Sequence, residues 1–65
     1  MINSKQKAIV KELKNCWVAA RLAGNTSQAN EIIDLIYEWY LDNIGELTTR
    51  QITAFQHFFD RYDYL

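Results

Sequence analysis

The chain lacks proline and has one cysteine, one histidine and two glycines among its 65 residues. A single cysteine excludes a disulfide within the chain. One histidine is poor support for a zinc site, which takes three or four protein ligands. No run of about 18 apolar residues is present, so we expect no transmembrane helix. The stabilising devices of many small domains are therefore missing.

What remains is a hydrophobic and aromatic composition. Hydrophobic residues make up 49% of the chain and aromatic residues 14%, too much for a disordered polypeptide. A domain of about 60 residues buries only about 60% of the surface of its unfolded chain. Stability then requires good helix packing. Association into a homodimer would enlarge the core and is the alternative to a monomer.

The sequence predicts one all-α domain over residues 1–65, with helices at 4–23, 27–44 and 49–62. Polar residues that can cap a helix precede each segment, and Gly24 and Gly45 are expected to end the first two. We expect Ile9, Leu13, Cys16, Trp17, Ala20 and Ala23 to form the buried face of the first helix. The short connections predict an antiparallel three-helix bundle.

The second helical segment combines many apolar side chains with a regular row of acids. Its carboxylates are spaced by three, four and four residues, so they share one narrow ridge: Glu31, Asp34, Glu38 and Asp42. Nearly all remaining side chains of the segment are apolar. We therefore predict that this helix is the central one, wrapped by its neighbours on every side except the acidic ridge.

The aromatic residues give the main indication of function. Eight of the nine lie after Ile36, more than a core of three short helices is expected to hold. Partly exposed aromatic residues are favoured anchors at protein interfaces. We predict a small non-catalytic protein that binds and modulates, for example inhibits, another macromolecule, most simply a protein. The expected contact residues are Tyr40, Leu41, Tyr64 and Leu65 with the acids Glu31, Asp34, Glu38 and Asp42.

A basic row on the first helix supports a different hypothesis. Lys7, Lys11, Lys14 and Arg21 are spaced by four, three and seven residues, and such a row can follow phosphates. Residues 1–24 carry a net charge of +4 and residues 25–65 one of −5. No aromatic residue interrupts this row, and the whole chain has a net charge of −1. A nucleic-acid-binding regulator that uses this row is therefore the alternative function.

Catalysis and cofactor binding have little support in the sequence. We expect Cys16 to be a small core residue and His57 to be solvated, and neither has the partners of an activated nucleophile. The prediction is therefore no enzyme, no cofactor and no metal. In its length, lack of proline and lack of catalytic motifs the chain resembles small helical regulators of phages and plasmids. With no apolar leader-like segment, the expected location is the cytoplasm, including that of a host cell.

Overall fold

The structure, a computed structural model, describes residues 2–62 and consists of three α-helices. Helix α1 spans Ser4–Leu22, α2 spans Thr26–Asn43 and α3 spans Thr49–Arg61, and a short 3-10 turn at Ile44–Glu46 follows α2. No strand occurs within this part of the chain. The all-α fold class is confirmed, and each helix boundary lies within about one residue of its prediction.

Each helix begins at a side-chain cap. Asn3 accepts a hydrogen bond from the backbone N–H of Gln6, whose side chain accepts in return from the backbone N–H of Asn3. Thr48 and Gln51 form the same reciprocal pair at the start of α3. At the start of α2, the Asn25 side chain accepts a hydrogen bond from the backbone N–H of Gln28 and donates one to the Gln28 side chain. These bonds satisfy amide groups that would otherwise have no partner in the first turn.

The two glycines play different roles at the helix ends. Gly24 has a φ of +73° directly after the last residues of α1, as expected of a helix-ending glycine. Gly45 likewise stands two residues after the end of its α-helix at Asn43, but it lacks a positive φ, so the chain continues into a 3-10 turn instead of ending in a left-handed residue. The Asn43 side chain donates a hydrogen bond to the Trp39 carbonyl at 2.8 Å, and Gly45 lies inside the 3-10 turn.

The core consists of hydrophobic side chains alone within the described residues. Helix α2 contributes the largest share, six buried residues, of which Ile36 is completely inaccessible to solvent. The buried side chains are Ile2, Val10, Trp17, Ala20, Ala29, Ile32, Ile33, Ile36, Trp39, Tyr40, Leu47, Phe55 and Phe59. Each such side chain contributes about 1.5–3 kcal/mol when it is large and fully buried.

Aromatic rings hold α3 against both other helices. From α1, the Trp17 ring meets Phe58 and Tyr62 edge to face, with centroids 5.2 and 4.6 Å apart. From α2, the Tyr40 ring lies 5.7 Å from that of Phe59. Such edge-to-face pairs add about 0.5–1.5 kcal/mol beyond area burial. Much of the predicted aromatic surplus is thus used in packing.

The buried face of α1 differs from the prediction. Trp17 and Ala20 are buried as expected, but Ile9 is 47% exposed and Cys16 is exposed, while Val10 is buried instead. Ala23, also expected on this face, is exposed and Leu13 is half-buried. The reason is tertiary, because the packing of α1 against α2, together with the contacts of Trp17 with α3, determines which strip of α1 is buried.

A polar tie joins the first turn of α1 to the end of α2. Gln6 Nε2 donates to Asn43 Oδ1 at 2.6 Å and to Glu46 Oε2 at 2.9 Å. The same side chain also completes the α1 cap, so one residue fixes both the start of a helix and its neighbour. The antiparallel order of the helices and the homodimer remain predictions.

Candidate binding surfaces

The acidic ridge of α2 lies in solvent. Glu31, Asp34, Glu38 and Asp42 are all exposed, and their spacing places them on one side of the helix. Helix α2 carries no basic residue. The exposure of all four acids agrees with the prediction that they form the solvent-facing edge of α2.

Two leucines extend this surface on either side of the ridge. Leu35 and Leu41 are each 48% exposed, and at about 100° per residue their side chains point about 120° apart, with the acids between them. The prediction that the other apolar residues of α2 are wrapped is wrong for Leu35, because the rings of α3 contact Tyr37, Trp39 and Tyr40 on the opposite side. Ile44, expected at the end of the same helix, is 39% exposed as well, whereas the exposure of Leu41 agrees with its prediction as a contact residue. We call the acidic ridge together with Leu35 and Leu41 the outer face of α2.

Tyr40 does not belong to this surface. It is only 5% exposed, and its ring lies 5.3 Å from that of Phe55. The expectation that Tyr40 is available to a partner is therefore wrong, because α3 covers it. Leu41, one residue later, faces outward. Tyr64 and Leu65, the other expected anchors, lie outside the described residues.

The basic row of α1 divides into free and ring-bound cations. Lys7 and Lys11 are exposed. Lys14 is half-buried, and its Nζ lies 4.4 Å from the centroid of the Phe55 ring. This burial lowers the pKa of Lys14 below its ordinary value. An ammonium over a ring face is attracted by the negative face of the ring.

Two arginines from different helices share one aromatic ring. The Arg21 Cζ of α1 lies 5.2 Å from the Tyr62 centroid, and the Arg61 Cζ of α3 lies 6.0 Å from it. Arg21 is also 5.3 Å from the Trp17 ring. In the sequence, no aromatic residue interrupts the basic row. In the fold, rings from α3 and Tyr62 lie beside Lys14 and Arg21. The resulting cation–aromatic cluster comprises Lys14, Arg21, Arg61, Trp17, Phe58 and Tyr62.

Cys16 and His57 are both exposed on the surface. Cys16 is exposed, contrary to its expected place in the core, and its Sγ lies 3.8 Å from Glu12 Oε1. His57 is exposed as expected and lines an open depression of about 230 Å³ beside Arg61 and Tyr62. Within residues 2–62, no three His, Cys, Asp or Glu side chains are grouped so that they could hold a metal ion.

The comparisons with known proteins return no relative. No protein-family model, no curated protein and no solved structure matches the chain. Among the helices that the structure describes, none has the length and apolar character needed to cross a membrane.

Proposed function

We propose that the chain is a small non-catalytic interaction protein that binds another protein through the outer face of α2 and thereby modulates, or inhibits, that partner. The observation that carries this proposal is the exposed acidic ridge flanked by two half-exposed leucines. Charged side chains steer a partner toward a surface and set its orientation, while apolar anchors supply affinity.

The chemistry of this face favours a basic, amphipathic protein segment as its occupant. Glu38 and Asp42 form a like-charge pair four residues apart on a helix without a basic residue. Such a pair costs a few tenths of a kcal/mol, and a row of Lys or Arg on a partner would offset this cost. The same carboxylates repel the phosphates of nucleic acids and anionic lipids. Leu35 and Leu41 suit shallow apolar pockets on the partner.

The experiment is a selection of random peptides displayed on phage, with the purified chain as bait. We expect the enriched peptides to carry several Lys or Arg residues together with apolar residues at helical spacing. A peptide of the same composition in scrambled order is the control for unspecific charge attraction. Light scattering of the free chain establishes whether one copy or two presents the surface.

Two pairs of variants test whether the binding energy comes from this face. Leu35→Ala with Leu41→Ala should weaken peptide binding about tenfold or more, equal to about 1.4 kcal/mol. Its matched control is Leu22→Ala, because Leu22 is 85% exposed at the end of α1. The double variant Glu31→Gln with Glu38→Gln should slow the association of the peptide with the chain.

The acidic control lies on the other two helices. Glu12→Gln with Asp60→Asn removes two exposed carboxylates outside the outer face of α2 and should leave binding unchanged. Equal losses in the two acidic double variants would show that only the overall charge matters, and the proposed docking surface would then be wrong.

A further inference from the structure

Charge is sorted by helix in this chain. Helix α1 carries five basic residues and one acid, and α3 carries Arg50 and Arg61 against Asp60. Helix α2 carries four acids and no basic residue. The net charge of −1 therefore conceals a basic pair of helices joined to an acidic one.

The contacts of the cation–aromatic cluster bring the basic side of α1 against α3. From α1, Lys14 Nζ lies 5.6 Å from the centroid of the Phe58 ring of α3. The centroids of the Phe58 and Tyr62 rings are 5.4 Å apart. Arg21 and Arg61 both lie against Tyr62. Three cations from two helices thus line one continuous row of rings.

These cations are positioned without being neutralised. Lys14, Arg21 and Arg61 contact aromatic rings, and within the described part of the chain none of the three forms an ion pair with a carboxylate. A guanidinium that lies over a ring keeps N–H groups at its edge for an outside acceptor. Because the ring restricts the side chain in advance, less conformational entropy is lost when an anion binds.

We infer that α1 and α3 form a second binding surface, which takes the phosphodiester backbone of duplex DNA. Lys7 and Lys11 extend the cluster along α1, and the fourteen-residue rise from Lys7 to Arg21 is about 21 Å. This length equals the axial rise of about six base pairs of duplex DNA, so the surface is long enough for four or five separate phosphate contacts. The surface uses helices other than the one in the proposed function, so either can fail without the other.

The packing of the rings selects a duplex over a single strand. Proteins that bind single strands offer free aromatic faces on which bases stack. Here Trp17 is 6% exposed, and Phe58 and Tyr62 are half-buried beneath cations and neighbouring rings. In the proposed complex the rings hold the cations in place, and the cations face the phosphodiester backbone of the DNA. The surface is therefore built for phosphate contact without base reading.

The experiment measures fluorescence anisotropy of a labelled 20-base-pair duplex titrated with the full chain at several salt concentrations. Four or five phosphate contacts predict that log K falls with log salt with a slope of about −4. Arg21→Gln and Arg61→Gln should each weaken binding severalfold and reduce that slope by about 1. Arg21→Lys keeps the charge and should keep the slope.

Lys5→Gln is the matched control, because Lys5 is an exposed lysine on a different side of α1 from the basic row. It should bind as the unchanged chain does, and circular dichroism checks that each variant is folded. Three results would overturn the inference: no binding at 50 mM salt, an equal loss for Lys5→Gln and Arg21→Gln, or tighter binding to a single strand. Equal binding to vesicles with anionic phospholipids would assign the surface to membranes and overturn it too.

Discussion

Phe59 is the residue whose replacement most directly tests the aromatic core. Its side chain is 0% exposed, and the ring centroids of Tyr37, Phe58, Tyr40 and Phe55 lie 5.2, 5.5, 5.7 and 6.2 Å away. Replacement of a buried phenylalanine by alanine costs about 3–5 kcal/mol. A chain of this length has a total stability of about 3–10 kcal/mol. Phe59→Ala should therefore remove much or all of the stability.

Phe59→Leu keeps an apolar side chain in the same space and gives a variant that can be measured. We expect a loss of about 1–2 kcal/mol and a fall in Tm of roughly 4–8 °C for each kcal/mol. Urea unfolding is followed by far-ultraviolet circular dichroism and by tryptophan fluorescence. The two tryptophans report on both sides of the bundle, since Trp17 contacts Phe58 and Trp39 contacts Phe55.

Leu22→Ala is the control for the loss of a large apolar side chain without a change in the core. Leu22 is 85% exposed, so its replacement should change the free energy of unfolding by no more than about 0.5 kcal/mol. If Phe59→Ala shifted the urea midpoint as little as Leu22→Ala does, the ring packing described for α3 would be refuted.

Two further pairs of variants test the hydrogen bonds of Gln6 and the burial of the Lys14 ammonium. Gln6→Ala removes both the α1 cap partner and the tie to α2 and should cost about 1–2 kcal/mol; an equal loss for the exposed Gln56→Ala would contradict this. Burial lowers the pKa of Lys14 in the folded chain below its ordinary value of 10.5. Between the pKa of the folded chain and that of the unfolded chain, the unfolded chain binds more protons, so stability rises with pH. Lys14→Met should lack that rise and Lys11→Met should retain it, and identical pH profiles of stability would count against the half-buried ammonium.

Local signals in the sequence predicted the helices well. The reciprocal bonds of Asn3 with Gln6 and of Thr48 with Gln51 join residues three apart, so the sequence shows both partners at once. The same is true of Gly24, whose left-handed conformation depends on the turn directly around it. The acidic ridge also follows from spacing along one helix.

Features that depend on packing between helices could not be read in this way. The rotation of the buried strip of α1 from Ile9 to Val10 depends on how α1 packs against the other helices, chiefly α2. Whether Tyr40 or its neighbour Leu41 faces outward depends on the placement of α3, whose rings cover Tyr40. The contacts of Lys14 with Phe55 and of Arg21 with Tyr62 join residues 41 positions apart in the chain. No periodicity within one helix reports such a contact.

The proposed docking of a basic protein segment on the outer face of α2 is tested most directly by the change in backbone amide NMR shifts when the chain binds the peptide that the display selection enriches. We expect the largest shifts to cluster between residues 31 and 42, around Leu35 and Leu41. Shifts concentrated on α1 and α3, with α2 unchanged, would contradict it.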